Sequence, residues 1–211
     1  MTFLSGLLIL GFGGHARAVA DVALASGIKQ LCFIDSNARP NETFGEFPVL
    51  RSWDEELPDG WSVMPASGDG VSRQTQCDWV TGRGWPLATL VSPVATVGFG
   101  ATVGPGTLVA HHAHVGPMAS VGAGCIVNTG AIIEHECVVG DFTHVSIKAA
   151  VAGRCHIGRF CFIGAGSTVI DGIRVHDGVT LGAGACAHRN LEEPGVYVGV
   201  PAKKIAGKTA N

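Results

Sequence analysis

Residues 127–151 read VNTGAIIEHECVVGDFTHVSIKAAV, with an aliphatic β-former at every sixth position: Val127, Ile133, Val139, Val145 and Val151. The frame runs without a slip back through Val121, Val115, Val109, Val103 and Val97 to Val91. It continues forward through Ile157, Ile163, Val169 and Val175 to Leu181. Four residues after each of these stands a mostly small side chain, among them Ala95, Ala113, Cys125, Ala131, Cys137, Cys155, Cys161 and Ser167. A period of six with one large and one small inward position marks a parallel β-helix built from hexapeptides. An α-helix would repeat at 3.6 residues and a lone strand at two, and neither fits.

Three hexapeptides close one triangular coil, so residues 91–190 are expected to stack as a prism, with 191–211 as a C-terminal capping segment. The two ends of such a stack expose unpaired strand edges. The residues before Val91 are expected to cover one end and those after Leu191 the other. The flat flanks call for a threefold assembly around parallel prism axes.

Charged residues are only 15% of the 211 and glycines number 31, which suits tight corners around a narrow aliphatic column. A formal charge of −3 leaves no basic footprint, so nucleic acid is not expected as a partner. The apolar run Leu7–Leu10 is far too short to cross a bilayer, and no basic residue precedes it. Neither a membrane anchor nor a signal peptide is expected, and the reading is cytoplasmic. Seven cysteines without paired spacing agree with a reducing compartment. Cys125, Cys137, Cys155 and Cys161 fall in the small inward slot, where a thiol acts as a small hydrophobe.

Residues 1–90 read as a small α/β domain of half-Rossmann type. Leu7–Leu10 is a strand, Gly11-Phe-Gly-Gly-His-Ala16 a glycine-rich turn, and a helix follows to about Ser26, stopped by Gly27. Leu31–Ile34 is a second buried strand ending at Asp35. Phe47–Leu50 and Trp61–Met64 are further strand candidates, and a short helix is expected over about Val71–Val80. The segment is one mononucleotide half, too small for a dinucleotide fold. A half can still seat a diphosphate on the free N–H groups of a helix N-terminus, with Asp35 facing a base or ribose; the alternative is a tight strand–helix turn with no ligand. His15 is unusual in such a loop, and Ala66–Gly70 is a second glycine-rich turn that would line the same crevice.

Eight of the nine histidines lie in or just beyond the repeat, and most need no function at exposed corners. His135 differs, because Glu134 and Glu136 flank it in a repeat that is otherwise nearly uncharged. Strand alternation sends both carboxylates away from the imidazole, but a bend at the coil corner would return one of them. A carboxylate on one ring nitrogen fixes the tautomer and leaves the other as a general base near neutral pH. The alternative is a solvated Glu-His-Glu corner. His144 lies nine residues on, half a coil, so on one prism the two point apart and a shared site would lie between subunits. Asn128, Lys148 and the backbone around Gly164 and Gly182 are further polar candidates. Three histidines converging on zinc would need another spacing than His114, His135 and His144 provide, and no metal is expected.

Gly13-Gly-His15, Phe33-Ile-Asp35, Asn128-Thr-Gly, Ile133-Glu-His-Glu-Cys137, Thr143-His-Val-Ser146 and Gly199-Val-Pro-Ala-Lys203 resemble one family nearly end to end. It is the sugar-nucleotide acetyltransferase subgroup of the left-handed β-helix acyltransferases, and within it the bacillosamine-type N-acetyltransferases. That resemblance implies a left-handed coil and transfer of acetyl from acetyl-CoA to the amino group of a nucleotide-linked sugar, such as a UDP-4-amino-4,6-dideoxy sugar. It implies His135 as base and Glu136 as its orienting partner, with Glu134 beside them. It places His144, the backbone near Ala165 and Ala183, and Lys203 and Lys204 along the coenzyme. Gly13, Gly14, His15, Asp35, Ser36 and Gly68 would hold the nucleotide sugar. The chain departs from the family pattern at Ser36, where a second acid is common, and at Asp69, where Asn is common. The competing functional readings are a sialic-acid-type O-acetyltransferase, a non-catalytic sugar-nucleotide scaffold, and a zinc-dependent hydratase.

Overall fold

The computed structural model describes residues 5–205. Its first part is a five-stranded sheet with two helices. The strands are β1 (Gly6–Leu10), β2 (Leu31–Ile34), β3 (Thr43–Phe44), β4 (Phe47–Leu50) and β5 (Trp61–Pro65), in the order β3-β4-β2-β1-β5. All pairs are parallel except the β3–β4 hairpin. Helix α1 (Gly14–Ala25) covers one face. It packs Ala16, Val19, Ala20 and Ala23 against Leu7, Ile9, Phe33 and Met64. Helix α2 (Gly70–Thr81) lies on the other face with Trp53, Trp61, Trp79 and Trp85. Every expected strand and helix is present within a residue or two of its expected bounds.

The second part is the prism. Its first face stacks Leu90–Val91, Leu108–Val109, Ile126–Val127, His144–Val145, Phe162–Ile163 and Val179–Leu181. The second face stacks Thr96–Val97, His114–Val115, Ile132–Ile133, Ala150–Val151, Thr168–Val169 and Cys186–Ala187. The third stacks Thr102–Val103, Ser120–Val121, Val138–Val139, His156–Ile157 and Arg174–Val175. Each strand pairs in parallel with the equivalent residue one coil on, as His114 with Ile132 and Val115 with Ile133. From Val109 onward the aliphatic frame and the small positions are buried in one continuous core, including Cys125, Cys137, Cys155 and Cys161. All seven cysteines are free. Thr107 and Thr143, two polar occupants of that column, donate to Gly122 and Gly158 carbonyls and accept from Cys125 and Cys161 amides.

The capping expectation is half right. After the last coil, Gly195–Val198 pairs in parallel with Val179–Leu181, Lys203–Lys204 returns antiparallel, and Leu191 bridges to Val175. That end is closed by its own chain. The first domain, however, docks on a flank and not over the other end. Leu90, Leu108 and Ala110 of the first face belong to the core of α1 and its sheet. Ile126 on the same face is also buried. The first coil is therefore left open, with Val91 38% and Val97 42% exposed although both stand in the inward frame.

Candidate active site

The expected base lies on the corner between the second and third faces. Glu136 there takes a left-handed backbone conformation (φ 57°), which turns its side chain back out of the strand direction. This brings its carboxylate to 3.1 Å from His135 Nδ1. Of the two flanking acids only Glu136 reaches the ring. Glu134 instead accepts from the His135 backbone amide at 3.3 Å. The acceptor at Nδ1 favours the tautomer with its proton there, leaving Nε2 as the basic nitrogen. The ring lies over Gly153 of the next coil, so closely that a β-carbon on that glycine would stand 2.5 Å from His135 Cε1. Glycine at 153 is what gives the imidazole its seat.

A second, partly buried cluster lies between the first domain and the first face of the prism. Asn128 Nδ2 and His144 Nε2 are 3.0 Å apart. The His144 ring packs edge-on to Phe162 at 5.1 Å and lies 6.2 Å from the His15 ring. His144 Nδ1 and His15 Nε2 are buried without a partner. Burial first, then the nearby charge of Arg73, pushes His144 down to about 4; burial, His144 and Arg73 push His15 down to about 3. Both rings are neutral at pH 7, with orphaned nitrogens suited to meeting a polar ligand. The structure thus unites His15 and His144, which the sequence assigns to different ligands.

The crevice expected to take the nucleotide opens at the carboxyl ends of β1 and β2, where the strand order reverses about β1. A cleft of about 620 Å³ there is lined by Asp35 and Ser36, by Arg51 and Trp53 on one wall, and by Trp79 and Arg83 on the other. Asp35 also serves the loop itself, accepting from the Phe12 and Asn37 amides at 2.9 Å each. Gly13 caps α1 and Gly14 is its first residue; a β-carbon on either, or on Gly68, would meet nothing within 4 Å. Their backbones are open to a ligand. Asp69 has a structural explanation: it caps α2, accepting from the Ser72 amide at 2.8 Å, and that amide holds its carboxyl below the usual range. The crevice residues Arg51, Trp53, Trp79 and Arg83 escape sequence reading because only the packing of α2 brings them together.

Ala165 and Ala183 are exposed on the corner between the first and second faces, one coil apart, on the same edge as Asn128. Lys203 is exposed beyond them, whereas Lys204 is engaged with Glu193 at 2.7 Å. His135 and the Ala165–Ala183 edge therefore occupy two different corners of one prism. Burial raises the Cys125 thiol to about 12 and the Cys161 thiol to about 11, which keeps both protonated, so neither can act as a nucleophile. Among the described residues no group of three or more His, Cys, Asp or Glu side chains is placed to hold a metal, and no helix is long and apolar enough to cross a membrane.

Residues 6–80 match the PglD N-terminal domain family, and residues 154–186 match the bacterial transferase hexapeptide family. The chain is similar over 95% of its length to the acetyltransferase domain of PglB from Neisseria gonorrhoeae, with 31% identity, a TM-score of 0.88 and all of that domain covered. The same domain is solved in complex with acetyl coenzyme A. PerB from Caulobacter crescentus, solved with CoA and GDP-perosamine, is 28% identical with a TM-score of 0.83, over 95% of this chain and 97% of that one. Fold, both family matches and identity across the full domain agree, and the chain belongs to the left-handed β-helix sugar acetyltransferases, the family of the PglB acetyltransferase domain.

Proposed function

We propose that the protein transfers the acetyl group of acetyl-CoA to the amino group of a nucleotide-linked amino sugar, with His135 as general base. The observation that carries the mechanism is the His135–Glu136 pair. The left-handed corner at Glu136 sets its carboxylate on Nδ1, and the bare backbone of Gly153 leaves room for the ring. The base of the nucleotide fits the 620 Å³ cleft beside Asp35 and Ser36. Its diphosphate then crosses the α1 N-terminus at Gly13 and Gly14, where free N–H groups favour an anion. From there the sugar passes His15 and Gly68 towards Asn128 and His144. The coenzyme lies along the Ala165–Ala183 edge towards Lys203, while Lys204 must first leave Glu193 to join it.

The sugar amine attacks the thioester carbonyl and forms the C–N bond as His135 Nε2 takes its proton, an assistance of about 10²- to 10⁴-fold. The tetrahedral oxyanion is met by Asn128 or the corner amides, and the intermediate collapses with loss of the coenzyme thiolate, which recovers the proton from His135. Glu136 steadies the imidazolium in between.

The base and the coenzyme edge lie on different corners, so the site is completed by a second copy. The corner that carries His135 also carries Met118, 61% exposed, one coil below it, and Phe99, 90% exposed, two coils below it. Apolar side chains presented this way suit burial against a neighbour, and a threefold assembly would cover them. The deciding experiment incubates the purified protein with acetyl-CoA and UDP-, GDP- and CMP-linked amino sugars, following thiol release and product mass. One carrier should support turnover and the matching hydroxy sugars should not. Turnover on hydroxyl acceptors alone would replace the reading by O-acetylation, and none on any sugar would remove it.

A further inference from the structure

Arg73, on the first turn of α2, has no exposed surface at all. Its guanidinium faces no carboxylate at bonding distance. Nε donates to the Gly124 carbonyl at 2.5 Å and Nη2 to the Phe142 carbonyl at 2.7 Å. Nη1 donates to Ser67 at 2.8 Å and to Gly68 at 3.1 Å. Two acceptors thus belong to successive coils of the prism and two to the glycine-rich turn of the first domain. Asp69, the nearest acid, is committed to the Ser72 amide.

Burying a charge against neutral carbonyls is expensive, and a Leu or Met would fill the same space more cheaply. Such a group is kept where it fixes one geometry among several. The geometry here is that of the reaction. Gly68 has open space where a side chain would be, so no packing holds its outer surface. Gln76 secures the inner end of the turn by accepting from the Ala66 and Ser67 amides, and Gly70 stands close against the Phe142 carbonyl, while Arg73 hydrogen-bonds the turn and two coils of the prism at once. On the prism side, Phe142 lies two residues before His144. One guanidinium therefore ties the turn directly to the coil that carries the His144–Asn128 cluster. In a trans peptide the N–H opposes the C=O, so holding the Ser67 and Gly68 carbonyls inward turns the Gly68 and Asp69 amides outward. A cation on the carbonyl side also polarises those amides towards an anion.

We propose that Arg73 is a positioning residue that locks the Ser67–Gly68 turn onto the prism, so that its outward amides hold the acceptor's phosphate in register with the acetyl site. The phosphate assignment rests on the reading of the acceptor as a nucleotide sugar, whereas the locking of the turn does not. Its charge also contributes, after burial, to keeping His15 and His144 unprotonated.

The test uses the full-length protein carrying Arg73→Met or Arg73→Lys. Amide hydrogen exchange of residues 67–70 is measured beside steady-state kinetics with acetyl-CoA and the acceptor found active. With Arg73→Met, exchange in the turn should rise about tenfold or more while the coils keep theirs. KM for the acceptor should rise about tenfold with KM for acetyl-CoA unchanged, on the scale of one charged hydrogen bond. Arg73→Lys, which keeps the charge but not the fork, should recover part of both, and it serves alone if Arg73→Met does not fold. Wild-type exchange in the turn and an unchanged acceptor KM in a variant that is merely less heat-stable would overturn the proposal. So would an equal rise in both KM values. If the wild type acetylates no amino sugar, the functional reading falls, and the exchange measurement still decides whether Arg73 locks the turn.

Discussion

Gly153→Ala is the sharpest probe of the base, because it moves His135 without changing any group proposed to react. A methyl at 153 would lie 2.5 Å from His135 Cε1 and 3.0 Å from Asp171 Oδ1. Carbon atoms rest about 3.5–4.0 Å apart, so the ring must retreat by about 1 Å. Gly153 is not among the left-handed corner positions, so alanine fits its backbone. The ring is partly exposed and can swing outward, which keeps the stability cost near the low end of overpacking, about 1 kcal/mol. A displacement of about 1 Å at a reacting group costs about 10²-fold in rate. The assay is kcat under saturating substrates, with Tm as the folding control, repeated in a His135→Ala background. The expected outcome is a fall of about 10²-fold in the first background and almost none in the second. A folded Gly153→Ala enzyme with wild-type kcat, or an equal loss when His135 is already gone, would refute the assignment of the ring's observed seat as its working position.

Acidification should destabilise the protein through His15 and His144. Both have folded values depressed to about 3 and about 4, so their contribution is full above the unfolded value of about 6.5 and is lost as pH falls from there. At pH 5 that is about 2 kcal/mol for each ring, measurable by urea unfolding at pH 7.5 and pH 5. A paired His15→Asn, His144→Asn variant should flatten the slope, and an unchanged slope would exclude these rings as its source. Phe99→Arg should dissociate the assembly in sedimentation velocity and lower activity without altering the circular dichroism of the chain. An active wild-type monomer would remove the inter-subunit site altogether. Treatment with EDTA should leave kcat unchanged, and a loss restored by zinc would reinstate the hydratase-type reading.

The coil stack was legible because each hexapeptide makes the same local choice, so the register of Val91 to Leu181 is written in every step. The small domain was legible because glycines punctuate its strands and helices; Gly27 stops α1 where expected and takes φ 88°. The position of that domain was misread, although a signal for it exists. The residue just before each aliphatic position points outward, and on the first face these are Leu90, Leu108 and Ile126, against Thr96 and His114 on the second and Thr102 and Ser120 on the third. An apolar outward residue at every third hexapeptide means a covered flank, and a single frame of six does not display it. Arg73 left no such trace. Its partners lie 51 and 69 residues away, and they are backbone carbonyls that any residue could supply.

The periodicity that makes the fold readable also explains why the proposed site is divided between copies. In a prism of three corners, the position in the repeat decides which corner a residue occupies, and one coil returns the chain to the same corner. Phe99, Met118, His135 and Gly153 share one corner; Asn128, Ala165 and Ala183 share another. No rotamer moves a side chain from corner to corner, so a base on the first cannot serve a thioester held on the second of the same chain. In the proposed assembly, what aligns them is the register of one prism against the next. Strand spacing of about 4.8 Å puts Phe99 roughly 10 Å below His135 along the axis. A substitution at Phe99 that slid one prism by a single coil would then bring the wrong corner residue, Pro117 or Gly153, opposite the coenzyme. Loss of kcat at full assembly is the outcome to look for in a conservative variant such as Phe99→Leu, and wild-type kcat in every assembled Phe99 variant would mean that other contacts set the register.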